Sequence, residues 1–147
     1  MENIILEPGI FDPWALLQDF QQRQFDGRTD FGATAVFVGT MRDFNEGEDI
    51  RAMTLEHYPG MTEKSLQQIL DEAKSKWALL DGLIVHRVGD ILPGEPIMLT
   101  AIWSAHRKEA FEACRYLVEE LKHRAPFWKN EMLQSGETRW VDKNTPG

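Results

Sequence analysis

Two lysines seven residues apart, Lys122 and Lys129, enclose the run His123-Arg124-Ala125-Pro126-Phe127-Trp128. Proline has no amide hydrogen and its ring clashes with the preceding turn, so it interrupts a helix. It also drives the residue before it out of helical geometry. The spacing therefore predicts a bend at Ala125, with a second short helix able to open at Pro126, a favoured first helical position. Such a bend aims Lys122 and Lys129 at one spot, backed by Phe127 and Trp128. In an acidic protein this reads as a pocket for an anion. A lysine held near other cations in a partly dry pocket loses pKa and becomes a usable base or nucleophile. The plainer reading is that both lysines lay their stems over the aromatics and Pro-Phe-Trp simply packs.

Two further basic elements have the same double reading. Gly39-Thr40-Met41-Arg42 closes a strand-like run. The planar fork of Arg42 can grip a phosphate or carboxylate; taken alone, it is a surface arginine before a turn. Ser104-Ala105-His106-Arg107 stands between a strand and a long helix. The first amides of a helix are unpaired and partly positive, so with His106 and Arg107 they make an anion site. Equally, Ser104 caps the helix and His106 is an ordinary first-turn residue. The case for a site is that three separate basic elements fall at strand or helix ends, where sites usually lie.

Other candidates carry less. Glu56-His57-Tyr58-Pro59-Gly60 either contributes a polar residue or is a strand end and turn. His86 and Arg87 lie in a strand with no second metal ligand at convincing spacing, so no metal site is expected. Cys114 falls on the apolar face of a helix and reads as core. Phosphate-loop, dinucleotide-loop, nucleophile-elbow and H-E-x-x-H signatures are missing from the sequence.

Composition narrows the class. The 147 residues suffice for one domain, 1–147, with one core. At 42% hydrophobic and 27% charged the chain is an ordinary globular one. No apolar run approaches the roughly 20 residues that span a bilayer, so no membrane partner is expected. The start, Met1-Glu2-Asn3, lacks the positive region of a signal peptide. One cysteine excludes an internal disulfide and fits a reducing cytoplasm. The net charge of -8 argues against non-specific nucleic-acid binding. Residues 104–129 nevertheless hold six Lys/Arg against four Asp/Glu, a local +2. That basic island suits a small anion or an acidic partner tail, or is the solvated face of a helix.

These residues need elements to position them. Strands are predicted at 3–6, 31–41, 50–58, 83–91, 96–103 and 138–141. Gly39 permits a bulge, and 45–49 is a turn that makes 50–58 the hairpin partner of 31–41. Helices are predicted from Asp12-Pro13 to about residue 23, from a Thr62 cap to about residue 77, and over 105–124. The last has Ala110, Phe111, Cys114, Leu117, Val118 and Leu121 on one face. Hairpins mixed with returning helices make the fold class α+β, with a mostly antiparallel sheet and packed helices.

Taken together, Leu55-Glu56-His57-Tyr58-Pro59-Gly60-Met61, Ser104-Ala105-His106-Arg107 and Lys122-His123-Arg124-Ala125-Pro126-Phe127-Trp128-Lys129 resemble the large, catalytic subunit of molybdopterin synthase. Order and gaps agree, and the similarity runs over about residues 31–141. The resemblance implies an α/β hammerhead with an added antiparallel subdomain. It implies a sulfurtransferase of molybdenum cofactor biosynthesis that converts cyclic pyranopterin monophosphate to molybdopterin by inserting two dithiolene sulfurs. The sulfur would come as a thiocarboxylate on the C-terminal Gly-Gly of a small ubiquitin-like subunit, within a heterotetramer built on a homodimer. No cofactor is implied, because the sulfur arrives already activated. By resemblance Lys122 and Lys129 are catalytic, and Thr40, Met41 and Arg42 bind substrate. His106 and Arg107 contact the pterin and its phosphate, Asn130 and Glu131 follow in the binding segment, and Arg139 is an arginine lent across the dimer. Position 40, basic in some relatives, is Thr here. The rival expectation is a non-catalytic adaptor that kept the anion pocket without turnover.

Overall fold

Asp12 starts the first helix as its chemistry dictates: its carboxylate accepts the amides of Trp14 and Ala15 at 3.0 and 3.2 Å, and Pro13 takes the first helical position. The computed structural model describes residues 2–141. In chain order its elements are β1 (Ile4–Glu7), α1 (Pro13–Phe25), β2 (Ala33–Thr40), β3 (Phe44–Asn45), β4 (Glu48–His57), α2 (Met61–Lys76), β5 (Leu79–Arg87), β6 (Gly89–Ile91), β7 (Pro96–Ser104), α3 (Arg107–Arg124), β8 (Phe127–Leu133) and β9 (Thr138–Val141).

Four strands form a first sheet in the order β1-β5-β7-β2, parallel only between β1 and β5. Helices cover both faces, so β5 and β7 are buried along most of their length and read as continuous apolar runs rather than alternating ones. Leu83, Val85, Leu99, Ala101 and Trp103 face α1, where Phe20 and Phe25 stack on Trp103. The buried indole is satisfied, donating to Gln21 at 2.9 Å. Ile84, Met98 and Ile102 point the other way, into the core under α2 and α3.

The second sheet, β3-β4-β8-β9 with β6 on β4, is antiparallel throughout. Met41, Ile50, Met53, Leu55 and Ile91 make its own core. The α+β, mostly antiparallel expectation therefore holds, but as two sheets.

Four local expectations give way to long-range pairing. Strand 50–58 is not the hairpin partner of 31–41: β2 pairs with β7, while the turn at Glu46-Gly47 closes only the short β3–β4 hairpin. Both turn residues have positive φ, 51° and 78°, which suits a tight two-residue hairpin. The strand over 83–91 is broken at Val88, and Gly89, with φ 87°, turns β6 away from the first sheet and onto β4. Gly60, not Thr62, is the N-cap of α2; its amide is held by Glu63 at 3.1 Å. No helix opens at Pro126. β8 begins there instead and pairs along β4 from His57↔Phe127 to Ile50↔Leu133. Proline at the edge of a strand loses no ladder bond.

Candidate functional site

Where the two sheets meet, a cavity of about 330 Å³ is lined by Lys122, Phe127, Lys129, Glu131, His86 and the Thr40-Met41-Arg42 segment. Three pieces of backbone bring these side chains together.

The first is the bend. Lys122 sits in the last turn of α3, which ends at Ala125 with φ -74° and ψ 134°, the extended geometry that Pro126 imposes. Buried Thr62 fixes the chain beyond it. Its hydroxyl accepts from the Tyr58 amide at 3.0 Å and donates to the Pro126 carbonyl at 3.1 Å. Arg124 is tied to α2 by Glu72, with Nη2 to Oε1 at 2.9 Å, and so serves the scaffold rather than the cavity. That pairing, together with a hydrogen bond from Tyr116, holds the Glu72 carboxyl down at about 2.

The second is β8. Strand alternation sends Phe127, Lys129 and Glu131 to the cavity and turns Trp128 and Asn130 to the opposite face. Trp128 therefore does not back the lysines; it is 47% exposed.

The third is the arm after β2. The ladder to β7 slips between Gly39 and Thr40, the bulge that the glycine permits. Met41 is then pinned both ways, its amide to the Glu95 carbonyl at 2.9 Å and its carbonyl to the Gly94 amide at 2.8 Å. Arg42 follows, exposed, with its guanidinium 4.8 Å from the centre of the Phe44 ring.

The cavity is electropositive and only partly wet. Burial, then the nearby Lys122 charge, pulls the Lys129 amine below its ordinary value, against an opposing pull from Glu131. Glu131 is itself buried and fully engaged: Asn45 donates to one oxygen at 2.9 Å and Arg139 Nε to the other at 3.1 Å. Arg139 also donates to the Asn45 carbonyl at 2.9 Å. This carboxylate organises its neighbours rather than offering a free acceptor. His86 is held neutral, down at about 4, chiefly by burial; the Arg87 carbonyl opposes, and Lys129 and Lys122 add to the lowering.

Of the residues singled out from sequence, Thr40, Met41, Arg42, Lys122, Lys129 and Glu131 line this one cavity. Arg139 stands behind Glu131, donating to its carboxylate and to the Asn45 carbonyl. Asn130 lies on the far face of β8, where its Oδ1 is buried with no hydrogen-bond partner among the described residues. His106 and Arg107 are at the opposite end of α3 from Lys122, about 24 Å away at 1.5 Å per residue. His86 and Asn45 were not read as site residues; their neighbours in the cavity come from strands distant in sequence, so no local signal marks them. Among the described residues, no group of three His, Cys, Asp or Glu is placed to hold a metal ion, and no helix is long and apolar enough to cross a membrane.

Two lysines and an arginine around a partly dry cleft can hold an anionic nucleophile beside an anionic substrate and supply a proton to a departing oxygen. The family model described as "MoaE protein" matches residues 11–124, starting about twenty residues before the resemblance read from sequence and stopping just short of Lys129. Over 116 residues the chain is 52% identical to the molybdopterin synthase catalytic subunit of Ralstonia nicotianae; the match spans 79% of this chain and 65%, just under two thirds, of that protein. It is 47% identical over 115 residues to the protein of the same name from Escherichia coli, spanning 78% and 76% of the two. The solved structure of a molybdopterin biosynthesis MoaE protein from Burkholderia ambifaria superposes with a TM-score of 0.80 at 41% identity, over 100% of this chain and 93% of that one.

Proposed function

This chain belongs to the MoaE protein family, and from that premise we propose that it is the catalytic subunit of a molybdopterin synthase. It converts cyclic pyranopterin monophosphate to molybdopterin with two sulfurs brought, one at a time, on the C-terminal thiocarboxylate of a small ubiquitin-like subunit. The observation that carries the reading is the convergence of Lys122, Lys129 and Arg42 on one cavity where sheets and helix meet.

A thiocarboxylate is anionic at neutral pH and nucleophilic through sulfur. Lys122, on the last turn of α3, holds that anion. Arg42 takes the substrate phosphate through its fork. As sulfur attacks carbon, the C–S bond forms and the C–O bond breaks. Lys129, its amine already loosened from its proton by burial, protonates the departing oxygen. Water then cleaves the resulting thioester, leaving sulfur on the pterin side chain and the carrier as a plain carboxylate. A second charged carrier repeats the step. Met41 and Thr40 shape the wall, and Glu131, through Arg139 and Asn45, keeps the rim in place.

His106 and Arg107 fit this scheme from a second copy of the chain. One α3 cannot present both its first turn and its last to the same substrate, so a homodimer supplies the pair in trans. With a carrier subunit on each cavity the assembly is a heterotetramer, working in the cytoplasm.

The direct test combines the purified chain, a thiocarboxylated carrier and the pterin substrate, and measures molybdopterin formed. Wild type should turn over, and Lys122→Ala should lose turnover with its fold retained, since a cavity-lining lysine adds little stability. Near-normal turnover by Lys122→Ala would remove the proposed role.

A further inference from the structure

The arm that carries Arg42 is held from outside the cavity. Leu92-Pro93-Gly94-Glu95 joins β6 to β7 as a tight turn. The Glu95 amide donates to the Leu92 carbonyl at 3.1 Å, and Gly94 has the positive φ, 87°, that a type II turn needs at its third residue. This turn grips Met41 from both sides, through the Glu95 carbonyl and the Gly94 amide. Arg42 is the next residue, and Thr40 pairs with Pro96, directly after the turn.

Two side chains fasten the turn to the first sheet. Arg87 ends β5 and is 5% exposed. Strand alternation points it away from His86, and neither it nor Glu95 lines the cavity. Its Nη2 donates to the Asp90 carbonyl at 2.6 Å and its Nη1 to Glu95 Oε1 at 3.4 Å. The same Glu95 oxygen accepts the Leu92 amide at 2.9 Å. Arg87 therefore holds β6 and the turn after it at once.

The geometry points to Arg87 and Glu95 as positioning residues: together they fix the turn that pins Met41, and so set where Arg42 presents its guanidinium at the cavity rim. This rests on the reading of Arg42 as the group that takes the substrate phosphate. The need for such a clamp has a physical reason. Past Thr40 the arm leaves the ladder to β7, and the two bonds at Met41 tie it down before β3 begins. Arg42 itself is exposed. An arm free to move presents its arginine correctly only part of the time, and apparent affinity falls by that fraction. A buried ion pair adds little net stability, because desolvation offsets attraction; its effect here is to select one arrangement of the turn.

The first test reads the arm without turnover, by amide hydrogen exchange on the whole chain. In Glu95→Ala the Met41 and Gly94 amides should exchange about tenfold faster or more, while those of the first sheet, Val85 and Leu99 among them, keep wild-type rates. Arg87→Lys keeps the charge but cannot reach Glu95 and the Asp90 carbonyl together, so it should show the same local loss to a smaller extent. The second test is kinetic, with the thiocarboxylated carrier. In Glu95→Ala the KM for the pterin should rise about three- to tenfold, as for an arm competent in about a tenth to a third of molecules. Because the lost contact is uniform binding, kcat should stay within about twofold of wild type. Added to Arg42→Ala, Glu95→Ala should raise KM no further, because its effect passes through Arg42. Unchanged exchange at Met41 in folded Glu95→Ala, loss of protection spread evenly over both sheets, or a KM penalty that adds to that of Arg42→Ala overturns the proposal. Local loosening at Met41 beside an Arg42→Ala enzyme of normal KM would instead count against the phosphate role of Arg42 alone.

Discussion

The hydroxyl of Thr62 donates to the carbonyl of Pro126 at 3.1 Å, joining the first turn of α2 to the bend that separates Lys122 from Lys129. The same oxygen accepts the Tyr58 amide, and the side chain is wholly buried. This one residue therefore sets the angle at which α3 hands the chain to β8.

Thr62→Val keeps the shape and deletes both bonds, leaving the part-buried Tyr58 amide and Pro126 carbonyl without this partner. The expected loss is about 1–3 kcal/mol of stability, read by urea unfolding, with a fall in turnover because the two lysines no longer converge. Thr62→Ser should retain most of both. Full activity and stability in Thr62→Val would show that the bend holds itself.

Lys129→Ala should lose most turnover, and Lys129→Arg should not restore it. Arginine keeps the charge but releases no proton at working pH. Steady-state assays at saturating carrier decide the matter: an arginine variant as fast as wild type would mean that the position supplies charge only.

Subunit mixing separates groups that act across a dimer from those that act within one chain. Lys122→Ala mixed with His106→Ala, under exchange, should recover part of the activity, because one site in each mixed dimer is complete. Lys122→Ala mixed with Arg139→Ala puts Arg139, which donates to Glu131 in its own chain, to the same test: recovery is expected if it is lent across the dimer. No recovery in that second mixture, with mixed dimers shown to form, would place Arg139 in its own chain's site.

His86 makes stability depend on pH in a defined window. Its ordinary value is 6.5 and its folded value about 4, so the unfolded chain binds the extra proton between them. Stability from this group is complete above pH 6.5 and is lost as pH falls toward 4, on the order of 3 kcal/mol in all. Urea unfolding at steps across that range should show the slope in wild type and a flatter profile in His86→Phe. Equal slopes would mean that the imidazole is charged in the folded protein.

Much of the site was legible along the chain because its signals are local. A proline bends the backbone wherever it stands, so the turn at Ala125 and the pairing of Lys122 with Lys129 follow from a few residues. The Asp12-Pro13 start, the Gly39 bulge and the hairpin turn at Glu46-Gly47 are local in the same way. The antiparallel α+β character also follows from the pattern of short strands between amphipathic helices.

Tertiary structure decided what depends on partners far apart in sequence. Residues after Pro126 became a strand because β4, some seventy positions earlier, offered a ladder to pair with. That pairing turned Trp128 and Asn130 away from the cavity and Glu131 into it. β2 chose β7 over the nearer β4 for the same reason. His86 looked like one more strand residue until the second sheet laid Phe127 on its ring and the lysines beside it. Caps, bends and turns are stabilised within a few residues of backbone. Strand partners and cavity walls are selected by the burial and hydrogen bonding of the whole chain, which no short window contains.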